Sequence, residues 1–141
     1  MLNINPTISF FKDIKLINYG KTNYVNAKTE DYEGIIPIYY FSVKNSSMKE
    51  YNYTIFIEEV DENDNCTSDM ILKRNELKYE LTLDNKIIKT GDLDTLPDSI
   101  LDTGIIEAND RKDYSLKIQL KDDIMDYENK HYHYVVNIKE S

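Results

Sequence analysis

The chain has 141 residues, 40% hydrophobic and 30% charged, and its 26 acidic against 17 basic side chains leave a formal net charge of −9. That length supports one core-bearing domain, and no run of about 18 apolar residues exists to form a membrane-spanning helix. The negative field repels phosphate backbones and anionic lipid headgroups, so neither nucleic acid nor membrane insertion is expected. Twelve tyrosines against four glycines and three prolines favour strands, because flat and branched side chains suit a pleated, half-buried surface.

From the N-terminus, Thr7 to Ile17 alternates imperfectly, with Ile8, Phe10, Ile14 and Leu16 on one parity and Lys12 interrupting, and makes one or two strands. Asn18 to Lys21 reads as a turn, and Thr22 to Gly34 as a polar loop or a short edge strand. Ile35 to Lys44 is a strong strand, with Tyr39, Phe41 and Val43 on one face and Pro37 near its start. After Asn45-Ser46-Ser47, Tyr51 to Val60 turns Tyr51, Tyr53, Ile55 and Ile57 to the core, and Asn52, Thr54 and Glu58 outward. An acidic run from Asp61 to Asp69 ends it.

Leu77, Tyr79, Leu81 and Leu83 alternate next, and Asp84-Asn85 is a tight turn into Lys86 to Lys89. Gly91 to Ser99 holds a single helical turn, Ile100 to Ile106 is a further strand, and Asn109 to Lys112 turns the chain again. Tyr114 to Lys121 then alternates without a fault, and Tyr132, Tyr134, Val136 and Ile138 repeat the pattern. Strict period two marks strands that cover a core on one side only. The total of about seven to nine strands predicts one all-β domain over residues 1–141, an antiparallel β-sandwich of jelly-roll or immunoglobulin-like type. Residues 1–11 form a free or donated segment.

Reactive constellations are sparse. Asp61, Asn63, Asp64 and Asn65 cluster the hard oxygen donors that calcium requires. They match the Asp-x-Asn-Asp-Asn pattern of the cadherin calcium linker, and resemble it over five residues. Read as an EF-hand, the run places Cys66 where the turn needs Gly and Leu72 where a bidentate Glu belongs. His131 and His133 share one strand face and could share a transition metal, although zinc takes three or four ligands. Tyr132 and Tyr134 take the core parity, which leaves both histidines outside. Cys66 is the single cysteine, so the core rather than a disulfide must hold the fold. Neither a nucleophile elbow, a phosphate-binding glycine loop nor a zinc-protease motif occurs, and no enzyme is expected.

Phe41-x-Val43-x-Asn45, Tyr53-x-Ile55, Tyr79-x-Leu81, Gly91-x-Leu93, Tyr114-x-Leu116-x-Ile118-x-Leu120, and Asn129-Lys130-x-Tyr132 running on to Ile138 follow one another in order. This succession resembles the β-sandwich subunits of bacterial extracellular matrix fibres, the TasA and camelysin group, over residues 35–139. The resemblance implies a non-enzymatic, self-associating assembly protein of an extracellular surface. Its N-terminal segment, here Leu2 to Phe11 with Leu2, Ile4, Ile8 and Phe10, would add as a strand to a neighbouring subunit. A virion protein would carry the same strand pattern. Met1 to Lys12 has neither the basic start nor the apolar stretch of a secretory leader. The alternative reading is a ligand-binding module that recognises carbohydrate or protein through exposed tyrosines and the Asp61 to Asp69 loop, with calcium as the ion of that loop.

Overall fold

A computed structural model describes residues 14–18, 24–26, 38–59, 71–123 and 131–140. Within them the chain is all-β, in two antiparallel sheets. The strands are β1 (Ile14–Asn18), β2 (Tyr24–Asn26), β3 (Ile38–Asn45), β4 (Tyr51–Glu59), β5 (Leu77–Leu83), β6 (Lys86–Asp92), β7 (Ile100–Ile106), β8 (Arg111–Leu120) and β9 (His131–Glu140). One sheet has the order β1-β3-β8-β5-β6 and the other β2-β9-β4-β7. Of the successive strands only β5 and β6 share a sheet, and two of the crossings run in parallel: β3 and β8 are neighbours in one sheet, and their successors β4 and β9 are neighbours in the other.

The alternation in the sequence is the alternation of burial. Tyr39, Phe41 and Val43 of β3, Tyr53, Ile55 and Ile57 of β4, and Tyr114, Leu116, Ile118 and Leu120 of β8 all lie in one core. Tyr132, Tyr134, Val136 and Ile138 of β9, which belongs with β4 to the four-stranded sheet, complete it. Tyr39 meets Tyr134 of the other sheet edge-on at 6.0 Å between centroids, while within one sheet Phe41 stacks on Tyr114, directly opposite it on β8, at 5.2 Å and 7°. Aromatic pairs of this kind add to the apolar burial that drives the two sheets together.

Turn chemistry explains the connections. Asp84 and Asn85 both have positive φ, 51° and 69°, the backbone that a two-residue hairpin needs to match strand twist. The hairpin strand β6 runs on to Asp92, beyond the expected Lys89. The segment before β7 holds two short 3₁₀ turns, Leu93–Thr95 and Pro97–Ser99, where one was expected. Arg111 and Lys112 belong to β8 rather than to the turn before it, because both already pair with β3, opposite Lys44 and Val43.

Thr54 departs from the expected pattern. It has the outward parity but is only 5% exposed, because β4 is flanked on both sides and Thr103 and Lys139 stand directly opposite it. Lys139 also lies over the neighbouring Phe56 ring at 5.4 Å, its aliphatic stem covering surface that parity alone leaves wet.

Candidate functional site

Sheet edges carry unpaired backbone and decide what such a fold can join. On one side of the molecule both edges are guarded. Strand β7, last in its sheet, accepts lysine hydrogen bonds at its outer carbonyls: Lys89 Nζ donates to the Leu101 carbonyl at 3.1 Å, and Lys112 Nζ to the Ile105 carbonyl at 2.8 Å. Strand β6, last in the other sheet, exposes Ile87 and Ile88 between Lys86 and Lys89. Register shifts break the ladder next to both edges, at Leu81/Thr82 and Ile55/Phe56. Charges and irregularities of this kind discourage a foreign strand.

The opposite side differs. β9 pairs with β4 from Tyr134 to Glu140, but its other edge meets only the short β2, at His131 to His133. Among the described residues no strand pairs with that edge beyond His133. On β9 the outward side chains past Tyr134 are Val135, Asn137 and Lys139, and Lys139 lies over Phe56 of β4, whereas Lys86, Lys89 and Lys112 stand at the β6 and β7 edges.

Two polar networks fix the strands behind these edges. In the first, the Tyr114 hydroxyl donates to Asp102 Oδ2 at 2.8 Å and lies 2.5 Å from the Tyr53 hydroxyl. A phenol has one proton, so Tyr53 donates to Tyr114 and Tyr114 to Asp102. Burial pushes both phenols up in pKa, with Asp102 adding to the rise. Gly104 makes room for this chain, since a Cβ there would come within 2.9 Å of the Tyr53 hydroxyl.

In the second network Glu59 accepts from Arg74 Nε and from the buried Tyr132 hydroxyl, while Arg74 Nη1 donates to Ser99 Oγ at 2.9 Å. Asp98 and Ser99 hold positive φ, 53° and 64°, and the arginine ties this left-handed turn to β4. Burial raises the Glu59 carboxyl, but Arg74 and Tyr132 together hold it below its usual range. A carboxylate with a lowered folded-state pKa contributes stability that is present above its unfolded value and lost as pH falls through the folded one. Glu59→Gln is therefore expected to flatten the acid side of the stability profile. Thermal melts between about pH 6 and pH 3 check this, and an unchanged acid slope counts against the pairing.

The sequence-derived candidates divide. Asp61, Asn63, Asp64 and Asn65, Cys66, and the segment with Leu2, Ile4, Ile8 and Phe10 lie outside the described residues. His131 and His133 are both on β9, opposite Asn26 and Tyr24 of β2, and His133 is half-buried. Among the described residues no group of three or more His, Cys, Asp or Glu could hold a metal ion, and no helix is long and apolar enough to cross a membrane. The lysine caps on β7 escaped sequence reasoning, because which carbonyls are left open depends on strand order. Comparison with protein-family models, curated proteins and solved structures gives no match.

Proposed function

We propose that this protein is a non-enzymatic assembly subunit built as an immunoglobulin-like β-sandwich, which associates with copies of itself by strand addition at the β9 edge. One observation carries the reading: the β9 edge beyond His133 has no partner strand among the described residues, whereas β6 and β7 are guarded by lysines and register shifts. Strand order supports the fold type. In an immunoglobulin-like sandwich, strands A, B, E and D form one sheet and C, F and G the other. Here β1, β3, β8 and β5 stand in the order of the first set, and β4 and β9 in the positions of C and F. Among the described residues only the three of β2 occupy the position of G.

A strand that enters at this position completes the ladder of backbone hydrogen bonds and sets alternate side chains against the core margin. Leu2, Ile4, Ile8 and Phe10 share one parity, which is the pattern such a strand presents. The resemblance to the TasA and camelysin group accords with the same role on an extracellular surface.

The test is size-exclusion chromatography with light scattering and negative-stain microscopy, on the full chain and on a variant lacking Met1 to Phe11. The full chain is expected to form concentration-dependent assemblies that the shortened chain does not form, and a synthetic Leu2 to Phe11 peptide should bind the shortened chain. A full chain that stays monomeric at high concentration, or assemblies indifferent to the deletion, would overturn the donor role. Lys89→Met with Lys112→Met serves as contrast, adding association that the peptide cannot compete away.

A further inference from the structure

The outer face of the five-stranded sheet carries a cleft of about 290 Å³ over β3 and β8, lined by Tyr40, Ser42, Arg111, Asp113 and the strand segments at Phe41 and Tyr114. The pairing register builds it. Ser42 is opposite Asp113, Tyr40 opposite Ser115, and Lys44 opposite Arg111, while Thr82 of β5 is opposite Ser115 from the other side. Small hydroxyl residues thus occupy the middle of the face, where larger side chains would fill the depression. Thr82 and Ser115 are hydrogen-bonded to each other through their hydroxyls.

Two features at the cleft point outward to a ligand. Tyr40 is 50% exposed, alone among the aromatic residues of β3, since Tyr39 and Phe41 on either side lie in the core. Its ring lines the cleft and makes no hydrogen bond, ring contact or ion pair with a described residue. Asp113 is held in place by the fully buried Ser42, whose hydroxyl donates to Oδ1 at 2.5 Å, and by Arg111 Nε, which donates to the same oxygen at 2.8 Å. These two bonds keep the carboxyl below its usual range, so it is a charged acceptor at neutral pH. Its Oδ2 takes no hydrogen bond among the described residues. An oriented carboxylate oxygen next to a guanidinium offers paired acceptor and donors to two adjacent hydroxyls. An aromatic ring beside them offers an apolar face to C–H groups.

We propose that this cleft binds a neutral saccharide, with one pyranose ring stacked on Tyr40 and vicinal hydroxyls bonded to the Asp113–Arg111 pair. A sugar ring is the small molecule that presents an apolar C–H face and dense hydroxyls together, and the cleft presents their complements side by side. The volume lies at the lower end of the roughly 300–1,000 Å³ common for ligand sites, which fits a single unit of a longer chain lying across an open sheet face. The ligand is neutral because Arg111 is balanced by Asp113 and the chain as a whole carries −9, a field that repels polyanions. None of the exposed aliphatic residues Ile38, Met48, Ile87, Ile88 and Ile105 lines the cleft, so Tyr40 is the exposed large apolar group there. This site lies on a sheet face, not at an edge, and stands independently of strand addition.

The experiment is binding of the full chain to an array that holds neutral oligomers of glucose, mannose, galactose and N-acetylglucosamine beside sialylated and sulfated glycans. Titration with the best neutral binder follows, read by amide chemical shifts on the chain lacking Met1 to Phe11 if assembly broadens the spectrum. At least one neutral oligomer is expected to bind, with shifts concentrated in β3 and β8. Tyr40→Ala and Asp113→Ala should weaken it about tenfold or more, while Tyr40→Phe stays within about threefold. Tyr40 is a surface residue, so its variants should melt with the parent. Binding confined to acidic glycans, no glycan binding at all, or equal binding by Tyr40→Ala would each overturn the proposal.

Discussion

Asn45→Ala is expected to cost about 3 kcal/mol of stability and to lower the melting temperature by about 10 °C. Asn45 ends β3 fully buried, and its amide holds two turns together. Nδ2 donates to the Lys49 carbonyl at 2.7 Å and to those of Ile106 and Glu107 at 3.3 and 3.1 Å. Oδ1 accepts from the Ser47 amide at 3.0 Å and hydroxyl at 2.8 Å. The β3–β4 turn and the chain leaving β7 therefore share one side chain, with the Asn109 amide to the Ser47 carbonyl at 3.2 Å as a second link. Alanine removes both halves of the amide and strands the buried Ile106 carbonyl, a loss larger than one ordinary hydrogen bond.

Asn45→Asp is expected to be worse, since a carboxylate cannot donate to three carbonyls and its charge would be buried. Ser47→Ala, which removes the half-buried hydroxyl but leaves the Ser47 amide on Asn45 Oδ1, should cost about 1 kcal/mol or less. Calorimetric melts of the three variants supply the comparison. A loss for Asn45→Ala no larger than that for Ser47→Ala would show that the two turns stand without this link.

Period-two alternation was legible where strands are covered on one face, which is why β3, β4, β5, β8 and β9 could be read from residues alone. Each places its Tyr, Phe, Val, Ile or Leu on a single parity, and burial then follows from the pleat. The Asp84-Asn85 turn was equally legible, because its two positive φ angles favour those residue types. Strand order was not, since the crossings from β3 to β4 and from β8 to β9 depend on long-range pairing that no local pattern encodes.

For the same reason the relevant surfaces were only partly visible. The sequence points to the edges, the N-terminal segment and the acidic loop. Of these the structure describes the edges. Tyr40 could have been noticed as the one aromatic residue of Tyr39-Tyr40-Phe41 that alternation turns outward. Its neighbours in the cleft, Arg111 and Asp113, come from a strand about 70 positions later, and nothing local joins them to it. Asn45 appeared in the sequence as punctuation, and its bonds to Ile106 and Glu107 exist only once β7 and β3 have been brought together.

Tyr114→Phe is expected to cost about 2 kcal/mol, although it removes a single oxygen and keeps the ring stacked on Phe41. The hydroxyl is the middle of a chain in which Tyr53 donates to Tyr114 and Tyr114 to Asp102, so its loss strands the Tyr53 hydroxyl inside the core. Tyr53 is 1% exposed, and Lys112 lies 5.7 Å over its ring, so the orphaned group has no route to water without moving the strand. Tyr53→Phe should be milder, about 1 kcal/mol, because Tyr114 keeps Asp102 as its acceptor. Removing both hydroxyls leaves no buried donor unpaired, and the double variant should therefore lose no more than Tyr114→Phe alone. Chemical denaturation of the two single variants and the double variant measures the coupling directly. Additive losses would mean that the two phenols act separately, and the donor chain from Tyr53 to Asp102 would have to be abandoned.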